Sequence, residues 1–366
     1  MSFFESEDWA DDSRRQSKPR RFVGFGFLLV FTAGLLAAAF LPTPYVIEGP
    51  GPTFNVLGET EGKPVIAVSG AKTFETDGNL DVLTVSLFGS REQTPSWIEI
   101  ALAWMDPAKI VVPLDQAFPT GQTDEEVRAE STAMMEESQQ DAIAAALVNL
   151  GYEVPSHVYV SEVSAGAAAS GKIKAADFII AVNNVEITTV DGLREQVAKF
   201  DGAQPLVIEY TRNGVPSSAE VTPVKDAKGT LRLGLMVGYK FDFPVKIELQ
   251  LGDVGGPSGG MMFALGILDK LTPGFLNGGE YVAGTGTITP AGEVGPIGGI
   301  RQKLFGASEK GAQYFLAPSQ NCDEVAGHIP DGLQVFSISK LSDAVTVLEQ
   351  ISMGANLSSL PSCSTK

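Results

Sequence analysis

The sequence predicts an α+β protein with more than one folded unit behind a single N-terminal apolar helix. Three observations predict it. A run of 20 residues without a charge lies near the start, short β-type runs alternate with helices through the rest, and two glycine-rich blocks each lead into a helix. With 366 residues, 44% of them apolar, the chain has material for two cores, because single domains hold roughly 100–200 residues. The net charge of -18, from 26 Lys+Arg against 44 Asp+Glu, argues against nucleic acid as a partner, since phosphate binding needs a basic surface. Two histidines (His157, His328) and two cysteines (Cys322, Cys363) leave too little material for a Cys/His zinc set or for catalysis by several histidines. No metal and no cofactor is expected.

The first element is Phe22 to Leu41, FVGFGFLLVFTAGLLAAAFL. Twenty such residues suffice to cross a bilayer core of about 30 Å as a helix. Arg14, Arg15, Lys18, Arg20 and Arg21 stand just before it, which by the positive-inside rule keeps that flank cytoplasmic. Everything after Pro42 is then extracytoplasmic. Residues 1–21 hold five acids and five bases, so the exported part carries essentially the whole negative charge. Two readings stay open. An uncleaved anchor is favoured by the long apolar run and the large segment before it. A cleaved signal peptide would use the small-residue site at Ala37-Ala38-Ala39. No second apolar run of this length occurs, so the expectation is a single-pass cell-membrane protein.

Residues 43–62 are rich in Pro and Gly and read as an extended lead-in. Residues 64–70 (PVIAVSG) and 80–88 (LDVLTVSLF) read as strands, and 119–131 as a polar loop. A strong helix follows in AESTAMMEESQQDAIAAALVNLGY, with Met134, Ala142, Ala145, Ala146 and Leu150 near one face and Gly151 as its stop.

The texture then changes. Residues 158–163, 178–182, 205–211 and 218–224 read as strands, with turns at Asn183-Asn184 and Arg212-Asn213-Gly214. A short helix from Val190 to Phe200 carries Leu193, Val197 and Phe200 on one side. The stretch SAGAAASGKIKAADFIIAVNNVEITTVDGLREQVAKF resembles a PDZ domain of the bacterial type. Ala176 departs from that pattern, which has Gly before the aspartate at 177. The resemblance implies a unit that takes a peptide tail as an added strand beside its second helix; a small β-rich domain that binds nothing is the alternative. Gly166 to Lys172 also fits the first seven places of a phosphate loop, but Ile173 stands where the magnesium-binding hydroxyl belongs. Nucleotide binding is not expected.

The chemistry concentrates between residues 243 and 307. A strand from Val245 to Leu251 runs into Gly252-Asp253-Val254-Gly255-Gly256-Pro257-Ser258-Gly259-Gly260, and a helix is expected from about Ser258. Glycines let a substrate come close to the backbone. N–H groups at a helix start can hold an oxyanion. A serine there is either a cap or a nucleophile awaiting a base. The second block, GTGTITPAGEVGPIGGIRQK at 284–303, places Lys303 on a helix beside Leu304 and Phe305. A lysine becomes a base when apolar burial lowers its pKa, and a Ser-Lys pair is a known form of serine nucleophile.

GGPSGG followed by GPIGGIRQK resembles the proteolytic domain of the Lon family. The resemblance places the nucleophile at Ser258, the lysine at Lys303 and a lysine-orienting threonine at Thr285, with an oxyanion held by the backbone of Gly256, Pro257 and Ser258. With the N-terminal run, the PDZ-like unit and the phrases LGDVGGPSGGMMFALGILDKLTPG and APSQNC, the chain is similar to membrane-anchored, PDZ-containing Lon-like proteases of Gram-positive, particularly actinobacterial, type. Gly259 replaces the family's usual Ala after the serine. Gly255 stands where ATP-dependent members have Asp, with Asp253 nearby.

The family fold also needs a helix of the type MxESxQAAL ahead of the serine. Here it falls at 135–142, before the PDZ-like unit. The expected layout is therefore a cytoplasmic tail (1–21), a transmembrane anchor (22–42), the front half of the protease (43–151), an inserted PDZ-like unit (152–226), the catalytic half (227–350) and a tail (351–366). Three units in series is the alternative.

The implied function is an ATP-independent Ser-Lys endopeptidase acting on extracytoplasmic protein or peptide segments. The alternative is a non-catalytic scaffold that binds peptide termini. Lon-type domains assemble as rings, so a homo-oligomer fits the resemblance. A Cys322–Cys363 bond would pin the C-terminal tail, and two unpaired cysteines is the other reading; both histidines read as surface or turn residues.

Overall fold

The computed structural model describes residues 20–119, 121, 123–226, 228–252 and 254–363. Its helices are α1 (Arg20–Phe40), α2 (Trp97–Trp104), α3 (Leu114–Ala117), α4 (Asp124–Asn149), α5 (Val190–Ala198), α6 (Gly260–Leu271), α7 (Ile300–Glu309), α8 (Cys322–Val325) and α9 (Leu341–Ser352). The chain divides into two compact units: residues 1–49 with 87–120, and residues 50–86 with 121–366.

In the first unit the uncharged run is helical as α1. Among the described residues no helix is long and apolar enough to cross a membrane. The basic flank at Arg14, Arg15 and Lys18 lies outside the described residues, as does Asp253 of the glycine-rich block. The segment expected as an extended lead-in is instead a strand, Tyr45–Asn55. Tyr45–Glu48 pairs antiparallel with Ile110–Pro113, and this pairing ends before Pro50 and Pro52, so their missing N–H groups do not interrupt it. Ile47, Ile100 and Ala103 make the small core of this unit, with Tyr45 and Val111 against it.

In the second unit the strands Gln334–Ile338, Tyr314–Pro318, Tyr281–Gly284 and Asn79–Phe88 lie side by side in that order and run parallel. Their side chains alternate between two cores, as the pleat requires. Leu80, Val82, Val282, Leu316 and Phe336 face a core shared with α4, α6 and α9. Leu83, Ala283, Phe315, Ala317 and Val335 face another, shared with α7. Residues early in the chain pair with residues late in it: Ile66–Ser69 lies antiparallel to Lys246–Leu249, Asn79–Val82 parallel to Tyr281–Gly284, and α4 packs on α6.

Between those halves stands a five-strand path with its own core. Its order is Val215–Val221, Leu206–Arg212, Phe178–Val182, Ser156–Val163 and Leu235–Phe241, around Val158, Val160, Ile179, Leu193, Val197 and Ile208. The sheet runs on to Phe241, past the expected edge at 226. The alternating Leu235, Val237, Tyr239 and Phe241 pair with the Ser156–Val163 strand. Asp177 is buried and held by Arg212 at 2.7 Å, which keeps its carboxyl below the usual range despite burial. The phosphate-loop look-alike is a set of turns. The N–H groups of Ala167, Ser170, Lys172 and Ile173 bond to nearby carbonyls, and Lys172 Nζ donates to the Glu220 carbonyl.

Helix α4 corrects two expectations. It begins at Asp124, inside the segment read as loop, because Thr123 and Glu126 form a reciprocal capping box. Its inward face carries Met135, Ser138, Ala142 and Ala145–Leu147, whereas Met134 is 41% exposed. Cys322 and Cys363 are joined as a disulfide, which ties the segment after α9 to α8. His157 is exposed beside Asp242, and His328 Nδ1 lies 3.1 Å from the Glu324 carbonyl oxygen.

Candidate active site

The site forms where the Tyr281–Gly284 strand ends. Thr285 is the next residue. Ser258 precedes α6, which packs on one face of the parallel strands, and Lys303 lies on α7, which packs on the other. The helix starts two residues later than expected: α6 begins at Gly260, and Ser258 makes no capping bond to it. The serine is therefore not occupied as a cap.

Lys303 Nζ lies 2.8 Å from Ser258 Oγ and 3.0 Å from Thr285 Oγ1. Thr285 Oγ1 donates to the Ser258 carbonyl at 2.9 Å, and the Gly286 N–H donates to the same oxygen at 2.8 Å. Thr285 is wholly buried and Lys303 is 3% exposed, while Ser258 is half-buried. Loss of water around the ammonium pushes the Lys303 pKa down to about 7. No carboxylate contributes to that shift. The set can be read as one directed chain for a neutral lysine. The serine hydroxyl donates to the amine lone pair, the amine donates to Thr285, and the threonine donates to the serine's own carbonyl.

Two residues that sequence reasoning missed hold the serine's loop. The Gly256 N–H donates to the Ser131 carbonyl at 2.9 Å, and Ser138 Oγ donates to the Pro257 carbonyl at 2.9 Å. Both serines lie on α4. Ser138 sits in the helix block quoted from the sequence, but a serine within a helix gives no sign of a partner more than a hundred positions away. The Gly256 bond also narrows the expected oxyanion site. Of Gly256, Pro257 and Ser258, the first has spent its N–H and the second has none, which leaves the Ser258 N–H.

Away from these residues, a concavity of about 1510 Å³ opens between α5 and the Leu235–Phe241 strand and is also lined by α4. Leu193, Val197, Leu235 and Val237 supply apolar walls, and Glu137 and Asp141 of α4 face them. Burial, with the Glu137 charge nearby, raises the Asp141 pKa to about 7. Among the described residues no group of His, Cys, Asp and Glu could hold a metal ion.

Comparison with known proteins identifies two domains in the chain. Residues 244–351 match the Lon protease (S16) C-terminal proteolytic domain, and residues 135–207 match the PDZ domain. Over 126 residues the chain is 32% identical to the Lon protease of Buchnera aphidicola, covering 33% of this chain and 16% of that one. Over 192 residues it is 28% identical to Lon protease 1 of Bacillus subtilis, covering 50% and 24%. The PDZ domain of the SdrC-like protein of Listeria monocytogenes is 20% identical, covering 22% of this chain and 85% of that one at a TM-score of 0.21. The chain thus spans less than a quarter of the length of these Lon relatives. It carries a Lon-type proteolytic domain, that of a serine peptidase, and a PDZ domain.

Proposed function

We propose that the protein is an ATP-independent, membrane-anchored serine endopeptidase that cuts extracytoplasmic protein or peptide segments, in the manner of PDZ-containing Lon-like proteases of Gram-positive type. The observation that carries the proposal is the contact of a buried Lys303 Nζ with Ser258 Oγ at 2.8 Å. A lysine at about 7 is largely neutral just above that pH and can act as a general base.

Lys303 takes the proton of Ser258 Oγ, and the oxygen attacks a peptide carbonyl. The Ser258 N–H stabilises the oxyanion. Lys303 then protonates the leaving amine, and water, deprotonated by the same lysine, releases the acyl group. Thr285 holds one amine hydrogen so that the lone pair points at the serine. These steps need no nucleotide.

Anchoring is supported by the uncharged run at 22–41 and the basic residues before it. The extracytoplasmic placement is supported by the Cys322–Cys363 bond, since disulfides persist in oxidising compartments. The PDZ unit is inferred to be inserted into the protease. The pairing of strands from before residue 156 with strands from after 245 supports this. The groove between α5 and the Leu235–Phe241 strand is the place for a peptide strand. Ring-like assembly of several copies follows the Lon resemblance.

The test is cleavage of unfolded protein and a peptide library by the detergent-solubilised chain, beside Ser258→Ala and Lys303→Ala. Loss of cleavage in both variants, with folding kept, supports the dyad. Equal cleavage by all three chains overturns the assignment of cleavage to Ser258 and Lys303, and silence from wild type even with peptide in the groove overturns the peptidase in favour of a binding scaffold.

A further inference from the structure

Helix α2 presents an apolar side that the protein does not cover. Ile100 and Ala103 face the small core of their unit, and Trp97, Ile98, Leu102, Trp104 and Met105 are exposed, the last two at 68% and 81%. At 100° per residue these five span about 160° of the helix, from Trp104 beside the buried Ile100, through Trp97, round to Leu102 on the far side. The helix WIEIALAW holds a single charge, Glu99, and its carboxylate is turned back to cap the Ser96 N–H at 2.7 Å. The exposed side is therefore free of charge, and it has a tryptophan at each end. Large apolar surfaces of this kind mark an interaction site.

The same unit says what covers it. Pro42, two residues beyond α1, bridges to Ser96, the cap of α2. Thr43 is buried and donates from Oγ1 to the Pro95 carbonyl at 2.8 Å and from its N–H to Thr94 Oγ1 at 3.2 Å. The two helices also touch. The bare side of α2 thus begins where an outward-facing apolar helix, with Phe27, Val30 and Phe31 exposed, ends. A chain of net charge -18 gains nothing from anionic head groups, so the contact is apolar. Tryptophan ring systems favour the boundary between head groups and acyl chains.

We infer that α2 lies in the surface of the lipid bilayer as an interfacial collar to the α1 anchor, with Trp97 and Trp104 at the level of the head groups. This rests on the anchored reading proposed above. It adds a second contact that fixes the first unit against the membrane.

The chain holds three tryptophans, Trp9, Trp97 and Trp104, so Trp9→Phe leaves α2 as the sole source of tryptophan emission. The full-length W9F chain is reconstituted in phosphatidylcholine vesicles whose acyl chains carry bromine either near the head group or near the chain end. Flotation first establishes insertion. The expected result is quenching of about twofold by the shallow bromine and less by the deep one, as an interfacial depth requires. Leu102→Glu with Met105→Glu, both exposed, then reduces that quenching without loss of flotation. A chain that floats but keeps its full emission with shallow bromine overturns the collar while leaving the anchor in place. A chain that does not float overturns both. Emission that depends on protein concentration rather than on bromine assigns the surface to a second copy and also overturns it.

Discussion

Thr285 Oγ1 accepts a 3.0 Å hydrogen bond from Lys303 Nζ and donates in turn to the carbonyl of Ser258. The threonine touches both partners of the dyad and is wholly buried, so its loss strands a buried amine hydrogen. That costs about 1–3 kcal/mol, or roughly fivefold to 150-fold in rate. Thr285→Ala is expected to lower kcat by that factor on a fluorogenic peptide, with KM little changed and the acid limb of the pH profile displaced. Thr285→Ser is expected to restore most of the rate. Full activity in Thr285→Ala at every pH would refute the role.

The lysine sets the pH dependence. Below about 7 Lys303 is protonated and cannot accept the serine proton, so kcat/KM should rise through an apparent pKa near 7 and level off above it. A rate that falls with rising pH in that range would mean that the cation is the working form.

Stability should follow the same group. From about pH 7 to 10.5 the unfolded chain holds a proton on this lysine that the folded chain lacks, so folding gains stability as pH rises across that window. The cost of burying the amine is fully present below pH 7. Lys303→Met, of similar volume, is therefore expected to raise Tm most below pH 7, with the gain shrinking toward pH 10.5. Thermal melts at several pH values measure this, and a gain that grows with pH would contradict it.

Gly255 lies against Ser131 of α4 so closely that a β-carbon at 255 would collide with the Ser131 side chain. The neighbouring Gly256–Ser131 bond makes this contact the seat of the nucleophile loop. Gly255→Ala is expected to cut kcat about tenfold to a hundredfold by displacing Ser258, and Ser131→Ala in the same chain to recover part of it. A double-mutant cycle on kcat shows the coupling; strictly additive losses would argue against it.

Ala176 takes a left-handed conformation, φ 67°, which explains why the PDZ pattern has glycine at this place. An L-residue pays about 1–2 kcal/mol there, partly offset by the entropy that glycine would lose on folding. Ala176→Gly is expected to stabilise by about 0.5–1 kcal/mol, read as a rise in the urea midpoint. A lowered midpoint would refute it.

Reduction of the Cys322–Cys363 bond, or Cys363→Ser, opens a loop between residues 41 apart. The expected loss is about 2–4 kcal/mol, visible as a lower Tm with reductant in wild type but not in the variant. Identical melts with and without reductant would show that the bond does not hold the tail.

The meeting of Ser258 with Lys303 is legible because the proposed chemistry demands unusual local sequence: glycine turns around a serine, and a lysine embedded among apolar neighbours in a chain almost without histidine. Thr285 and the PDZ unit came from family resemblance, and resemblance led also to the block holding Ser138. The bonds from Ser131 and Ser138 to the serine loop were illegible, because they join positions distant in sequence. The Tyr45–Asn55 strand was hidden by Pro50 and Pro52, whose presence says nothing of the earlier residues that pair. The start of α4 is set by Thr123 and Glu126, whose capping pattern is obscured by the polar residues around it. Met135 rather than Met134 turns inward because, at 100° per residue, it falls between Ala142 and Ala146, whereas Met134 falls at the edge of that face.

The register between Phe241 and Ser156 bears on how the chain folds. These residues bracket the PDZ sheet and stand directly opposite one another on neighbouring strands. The pairing of Asp81 with Ala283 has to close across everything between them, and such long-range closure is slow because its entropy is lost before contacts repay it. A PDZ unit that folds first brings its two ends together and shortens that gap to the residues outside it. The order of events would then be fixed by topology: local sheet first, parallel sheet afterwards, and the serine and lysine brought into reach of one another only in the last stage.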